Sequence, residues 1–323
     1  MTVLRRLMVL VSGAAVSCWA QAWLPPKGDC SVSVTFQAVS FDGHFTSTGE
    51  RAPRRQSRSR NTIMDFGCGL SDRVALNVNL VHVSSKYTGV QEPFTPTFVD
   101  DGTYHGTLQD LRGDVRYNAL RNPFVLTPFF AVSTPTHGYE FVGEAAPGRY
   151  LREYVVGAYA GRLLNPVLSR AYSHGRYSYA FVQRALNVRQ DRSNIDLEAG
   201  YFVLPTVSAS LLGSWQWTHG GLRFPQDVTT PELFREHDRL LRANFSHVGG
   251  GVSLALTKSV DFYSNLVYYL AGSNTHLGKG ITAGLNWRFR TRREPEPAPA
   301  SQTSAGLVKG FHSSRAQLPG GLP

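Results

Sequence analysis

Apolar and polar residues alternate with a period of two along most of the chain. In 278–289, Ile281, Ala283, Leu285, Trp287 and Phe289 alternate with Thr282, Gly284, Asn286 and Arg288, which predicts a strand with one apolar face. Near 31–41, Val32, Val34, Phe36 and Ala38 alternate with Ser33, Thr35 and Gln37. Near 74–86, Val74, Leu76, Val78 and Leu80 oppose Ala75, Asn77 and Asn79. Similar stretches lie near 62–70, 105–118, 124–133, 151–163, 176–187, 193–203, 206–218, 242–256 and 260–271, so about twelve strands are expected.

The connections alternate in length. Tight turns at Leu70-Ser71-Asp72-Arg73, 119–123, Asn165-Pro166 and Thr257-Lys258-Ser259 interleave with long polar stretches at 42–60, 89–102, 134–150 and 219–241. Short turns on one rim and long loops on the other are the signature of a membrane-spanning barrel. On the strand near 105–118, Leu111, Val115 and Tyr117 share a face, and Asp110, Arg112, Asp114 and Arg116 share the other. A basic residue facing lipid near the midplane costs roughly 2–4 kcal/mol, so these four face the lumen, and Glu153, Arg184, Asp196, Glu198 and Arg288 are assigned there with them. A hairpin centred on Gln190 places Arg184 opposite Asp196. Together the nine form either a transverse field that selects solutes or a network of paired charges that fills a narrow barrel.

A soluble sandwich also alternates, but here polar faces recur on too many strands for one apolar core. Aromatic pairs near strand ends, Tyr177 with Tyr179, Trp215 with Trp217 and Tyr268 with Tyr269, suit interfacial girdles. Gly249-Gly250-Gly251 marks a bulge or a close backbone approach. The fold class expected is all-β, a transmembrane antiparallel up-and-down β-barrel of about twelve strands, both ends on the periplasmic side.

Three domains follow. Residues 1–22 read as a cleaved signal peptide, with Arg5 and Arg6 before an apolar run and Ala20-Gln21-Ala22 at its end. Ala15-Val16-Ser17-Cys18 is a rival lipoprotein-type site, weakened by Ala15. Residues 23–289 are the barrel; 290–323, rich in Pro, Ser, Gly and Ala, read as a disordered periplasmic tail. No later run reaches the roughly 20 apolar residues of a transmembrane helix. The formal charge of +10 becomes +8 when Arg5 and Arg6 leave, and in an exported chain it points to lipid phosphates or anionic solutes rather than nucleic acid. Charged residues are only 17% of the chain, which fits a barrel wall better than a disordered protein.

Cleavage leaves Cys30 and Cys68, at the periplasmic ends of adjacent strands, as either a disulfide or two thiols. Arg51, Arg54, Arg55, Arg58 and Arg60 fall in the first outer loop, where they bind lipopolysaccharide phosphates or stay solvated. Neither metal nor cofactor is implied, since no ligand spacing occurs. Scattered histidines without a G-x-S-x-G elbow argue against an enzyme.

The segments GLSDRVALNVNL, GDVRYNAL and STPTHGYEFVGEAAPGRYLREYVVGAYAGRLL resemble the phenol-degradation MetA-pathway barrels, a FadL-like transporter group, over most of 30–289. The closing strand, with Leu285, Trp287 and Phe289, is similar to the last strand of outer-membrane barrels, which the barrel-assembly machinery reads. The chain continues past Phe289, unlike that pattern. The resemblance implies a bacterial outer-membrane channel for passive uptake of small hydrophobic or aromatic compounds. The alternatives are a structural or adhesive barrel with a plugged lumen, or a barrel-embedded lipid hydrolase.

Overall fold

The structure is a computed structural model describing residues 22–52, 56–89 and 100–291. The expected signal peptide, except Ala22, the expected tail beyond Thr291, and Arg54 and Arg55 lie outside the described residues. Twelve strands follow one another: β1 Asp29–Phe45, β2 Ser57–Gly69, β3 Val74–Tyr87, β4 His105–Tyr117, β5 Val125–Pro135, β6 Glu153–Leu163, β7 Ala171–Val182, β8 Gln190–Leu204, β9 Val207–Gly220, β10 Asn244–Ala255, β11 Val260–Ser273 and β12 Thr275–Arg290. A further two-residue piece, Arg51–Ala52, pairs with the end of β1.

Each strand runs antiparallel to its sequence neighbours, and β12 pairs with β1 from Asp29↔Arg290 to Phe45↔Thr275. That pairing closes the sheet and removes its edges, which is how a sheet satisfies its backbone inside lipid. The two sides of the wall invert the pattern of a soluble protein. Val34, Phe36, Phe66, Leu111, Val115, Phe130, Leu197, Leu211, Leu285 and Trp287 are large, apolar and exposed. Ser33, Thr35, Asn79, Asp114, Thr127, Asp196, Ser214, Asn265 and Thr282 are buried inside. A surface of this kind belongs in a bilayer, and the chain is a barrel of the bacterial outer-membrane type. Among the described residues no helix is long and apolar enough to cross a membrane; the strands cross it.

The ends of β1 and β12 meet on one rim, where Arg290 Nε donates to Asp29 at 2.6 Å. This rim, read as the periplasmic one, carries the turns 70–73, 118–124, 164–170, 205–206 and 256–259; among the described residues the opposite, outer rim carries 46–52, 88–89, 100–104, 136–152, 183–189 and 221–243. β11 and β12 are joined on the outer rim by Asn274 alone, in the left-handed region at φ 47°. Cys30 and Cys68 are register partners and form a disulfide.

Two expectations require correction. The strand expected near 176–187 is β7, Ala171–Val182, so the hairpin with β8 turns around Ala185 and Val188, not Gln190. Arg58 and Arg60 belong to β2 and not to a loop. The glycine run, read as a bulge or a close backbone approach, is the latter: a Cβ on Gly249 would lie 2.1 Å from the Leu266 carbonyl oxygen, and the bulge between β10 and β11 lies at Ser246/His247.

Candidate functional site in the lumen and outer vestibule

The inner wall is divided. β5–β7 carry an apolar cluster beside their own inward polar residues Thr127, Glu153, His174 and Arg176: Val125, Phe129, Ala131, Val155, Tyr159, Ala180 and Val182 form one buried group, joined by Leu151 from the outer loop and Ala22 from the N-terminal segment. Ala22 and Trp23 run into the lumen, where Thr127 Oγ1 donates to the Ala22 carbonyl at 2.7 Å and the Trp23 ring stands edge-on to His174 at 6.0 Å. Elsewhere the inner wall is polar.

Charged groups on that wall are paired. Arg116 Nε donates to Asp114 at 2.6 Å, and its guanidinium lies 4.9 Å from the Tyr159 ring centre. Arg176 donates twice to Asp196 Oδ2, at 2.8 and 2.5 Å, while Ser214 donates to Asp196 Oδ1 at 2.7 Å. Glu153 accepts from Arg192. Glu198 accepts from Tyr172 at 2.8 Å and meets His174 at 3.3 Å. Asp65 accepts from Asn79 at 2.8 Å. In a confined lumen such mutual pairing removes the cost of burying each charge alone.

Two loops cover the outer end. Loop 136–152 folds inward, burying Tyr139, Val142, Ala145 and Leu151. Tyr139 donates to Asp110 at 2.6 Å, Ser85 donates to the Ala145 carbonyl at 2.5 Å, and Asp100 accepts from the amides of Glu144 and Ala145 at 3.2 and 2.9 Å. Loss of water and the bond to Asp110 raise the Tyr139 phenol above its ordinary range. Loop 221–243 carries two short helices, α1 Pro231–Arg235 and α2 His237–Leu240. Arg239 ties the loops together: it donates to Glu236 at 2.5 Å and to the Arg149 carbonyl at 3.3 Å, and stacks 4.0 Å from the Phe141 ring centre.

Between these loops and the outer end of β1 lies a vestibule of about 530 Å³, bounded by Phe45, Phe141, Arg149, Phe224, His237 and Arg239 among others. A larger hollow of about 630 Å³ sits between Leu197, Leu211 and Trp215. Those side chains point outward, so it is principally a groove for lipid chains.

The sequence-assigned residues fall as follows. Asp110, Arg112, Asp114 and Arg116 alternate on one side of β4, with Leu111 and Val115 exposed on the other. Glu153, Asp196 and Glu198 lie in the networks above. Arg288 meets Asp261 at 3.0 Å on the periplasmic rim. Arg184 is exposed beyond β7 and does not meet Asp196, whose register partner is Arg176. Arg51 donates to the Leu270 carbonyl at 3.1 Å, and Arg60 lies 4.5 Å from the Tyr104 ring centre. Leu285 and Trp287 face outward, and the Trp287 and Phe289 rings are 5.0 Å apart. Among the described residues no group of three or more His, Cys, Asp or Glu is placed to hold a metal ion. Sequence reasoning missed Tyr139, Arg149, Tyr159, Arg176 and Arg239. The available signal was three aromatics, Tyr139, Phe141 and Tyr150, in a stretch read as a solvated loop.

No protein-family model and no curated protein matches the chain. Solved structures do. The COG4313 outer membrane channel from Pseudomonas putida F1 is similar with a TM-score of 0.64 at 13% identity, over 83% of this chain and 98% of that one. The translocator domain of the autotransporter NalP from Neisseria meningitidis is similar with a TM-score of 0.51 at 13% identity, over 88% and 94%. At these identities the shared property is the fold.

Proposed function

We propose that the chain is a passive outer-membrane channel for small hydrophobic or aromatic compounds, the role its resemblance to MetA-pathway barrels implies. The observation that carries this reading is the divided inner wall: the apolar strip of Phe129, Val155, Tyr159 and Ala180 continues inward from Leu151, at the end of the loop that bounds the aromatic vestibule. A solute gathered in the vestibule moves along that strip, past the Glu153–Arg192, Arg116–Asp114 and Arg176–Asp196 pairs that flank it and are already satisfied by one another. Burial of its apolar area, at roughly 25 cal/mol per Å², provides the affinity for entry. No metal or nucleotide takes part, and no bond is broken. Arg51 and Arg58 on the outer rim meet lipopolysaccharide phosphates, and the outward face of β12, with Leu285, Trp287 and Phe289, serves assembly.

The test is uptake by proteoliposomes. Influx of a neutral aromatic such as phenol should exceed that into protein-free vesicles, while a sugar of similar mass enters more slowly. The second reading is a structural barrel with a closed lumen, favoured by the mutual pairing of Arg116, Arg176 and Arg192 with carboxylates. Folded protein that passes neither solute supports it.

A further inference from the structure

Arg116, Arg176, Arg192 and Arg239 each meet a carboxylate. Arg149, on the vestibule wall, meets none among the described residues; its guanidinium has one hydrogen bond, from Nη1 to the Gln190 side-chain oxygen at 3.4 Å. Glu153, the carboxylate whose charge reaches it, is already bound by Arg192. Gln190 is fully buried, and its Nε2 has no acceptor among the described residues. Donors therefore outnumber acceptors at this corner, and an enclosed guanidinium without an anion is costly. Loss of water together with the neighbouring Arg192 holds the Arg149 guanidinium below its ordinary range.

The rest of the vestibule is not built for a bare ion. Phe141 stacks on Tyr150 with ring centres 5.5 Å apart, Phe224 stacks on His237 at 4.7 Å, and Phe45 closes the side towards β1. Of the two carboxylates on the wall, Glu144 and Asp238, the latter lies against His237 at 3.2 Å. Aromatic rings on the wall beside a guanidinium with most of its donors unused suit a ligand with a ring at one end and a planar anion at the other.

The geometry points to Arg149 as the anchor of an aromatic carboxylate in the vestibule, its anion on the guanidinium and its ring among Phe45, Phe141 and Phe224. This rests on the proposed solute path and names the class of solute that path takes. A neutral arene satisfies the walls and leaves the donors unmet; an inorganic anion satisfies the donors and leaves the walls empty.

The test is calorimetric titration of the full-length barrel, folded in detergent, with benzoate, its neutral isostere benzamide, and inorganic phosphate. Benzoate should bind about tenfold tighter than benzamide, the effect of one charged hydrogen-bonded pair, and phosphate should not displace it. Arg149→Gln should reduce benzoate affinity about tenfold and leave benzamide unchanged, with heat-modifiable gel mobility showing that the variant is folded. Arg149→Lys should recover only part of the loss. Equal affinity for benzoate and benzamide in the wild type overturns the proposal without recourse to any variant. Displacement by equimolar phosphate also overturns it. The readout does not involve transport: binding without flux keeps the site and removes the channel, and flux of phenol without benzoate binding does the reverse.

Discussion

Gly249 on β10 faces the Leu266 carbonyl oxygen, 2.1 Å from where a Cβ would sit, whereas a Cβ on Gly280 of β12 would come no closer than 3.3 Å to any atom, the nearest being in the Val267 side chain. Backbone cannot yield as a side chain can. Gly249→Ala should therefore cost about 1–3 kcal/mol and Gly280→Ala much less, measured as urea unfolding in lipid vesicles. Cys30→Ser, which opens the link between β1 and β2, should lower stability by roughly 2–4 kcal/mol on the loop-closure argument, read in the same assay against the oxidised wild type, with the reduced wild type matching the variant. The residue scale is also where sequence reasoning erred most clearly. Arg184 and Arg176 have the same parity, so a hairpin centred on either turn keeps every lumen residue inside; only the observed pairing of Arg176 with Asp196 separates the two. Alternation detects a slip of one residue and is blind to an even one.

Among elements, the strands follow local pattern and the outer loops do not. Loop 136–152 is held to the wall by Tyr139 on Asp110, Ser85 on Ala145 and Asp100 on two amides. Asp100→Ala should free its inner half, increasing cleavage by added protease in the intact, detergent-folded barrel. In loop 221–243, hydrogen bonds from the Arg223 side chain and backbone hold the Asp227 carboxyl down to about 2. A depressed acid contributes fully above its unfolded value of about 4 and loses that contribution as pH falls through the folded one. Pepsin cleavage of this loop should thus be suppressed at pH 4 and rise towards pH 2, with Asp227→Asn abolishing the difference. The turning inward of 136–152 was not legible because nothing in a Pro- and Gly-containing stretch distinguishes a solvated loop from one packed under a barrel mouth. Tyr139, Phe141 and Tyr150 were its only hint.

The whole molecule is a narrow barrel filled from three directions: paired charges on the wall, loop 136–152 at the outer end, and Trp23 from the periplasmic end. Single-channel conductance in planar bilayers should accordingly be small, and replacement of 137–149 by a short Gly-Ser linker should raise it severalfold. Arg116→Ser leaves Asp114 buried without its partner; by analogy with broken buried pairs it should cost up to about 3–5 kcal/mol, less where lumen water reaches the carboxylate. In barrels that still fold, ion selectivity should shift towards cations. Unchanged selectivity in folded variant protein would place Arg116 away from the ion path.

By itself the sequence determined the period, the faces and the approximate count of strands, because a lipid-facing wall requires an apolar residue at every second position and tolerates no charge there. It also placed Asp110, Arg112, Asp114 and Arg116 on one face of their strand, opposite Leu111 and Val115, while it misassigned Arg184 and passed over Arg176. Only the tertiary structure decided which charges meet, where loop 136–152 goes, and that Arg149 is left without a carboxylate on a cavity wall. Facing is a local property repeated along each strand. Pairing depends on the register between strands and on loops returning across the barrel, and a single chain's local pattern encodes neither.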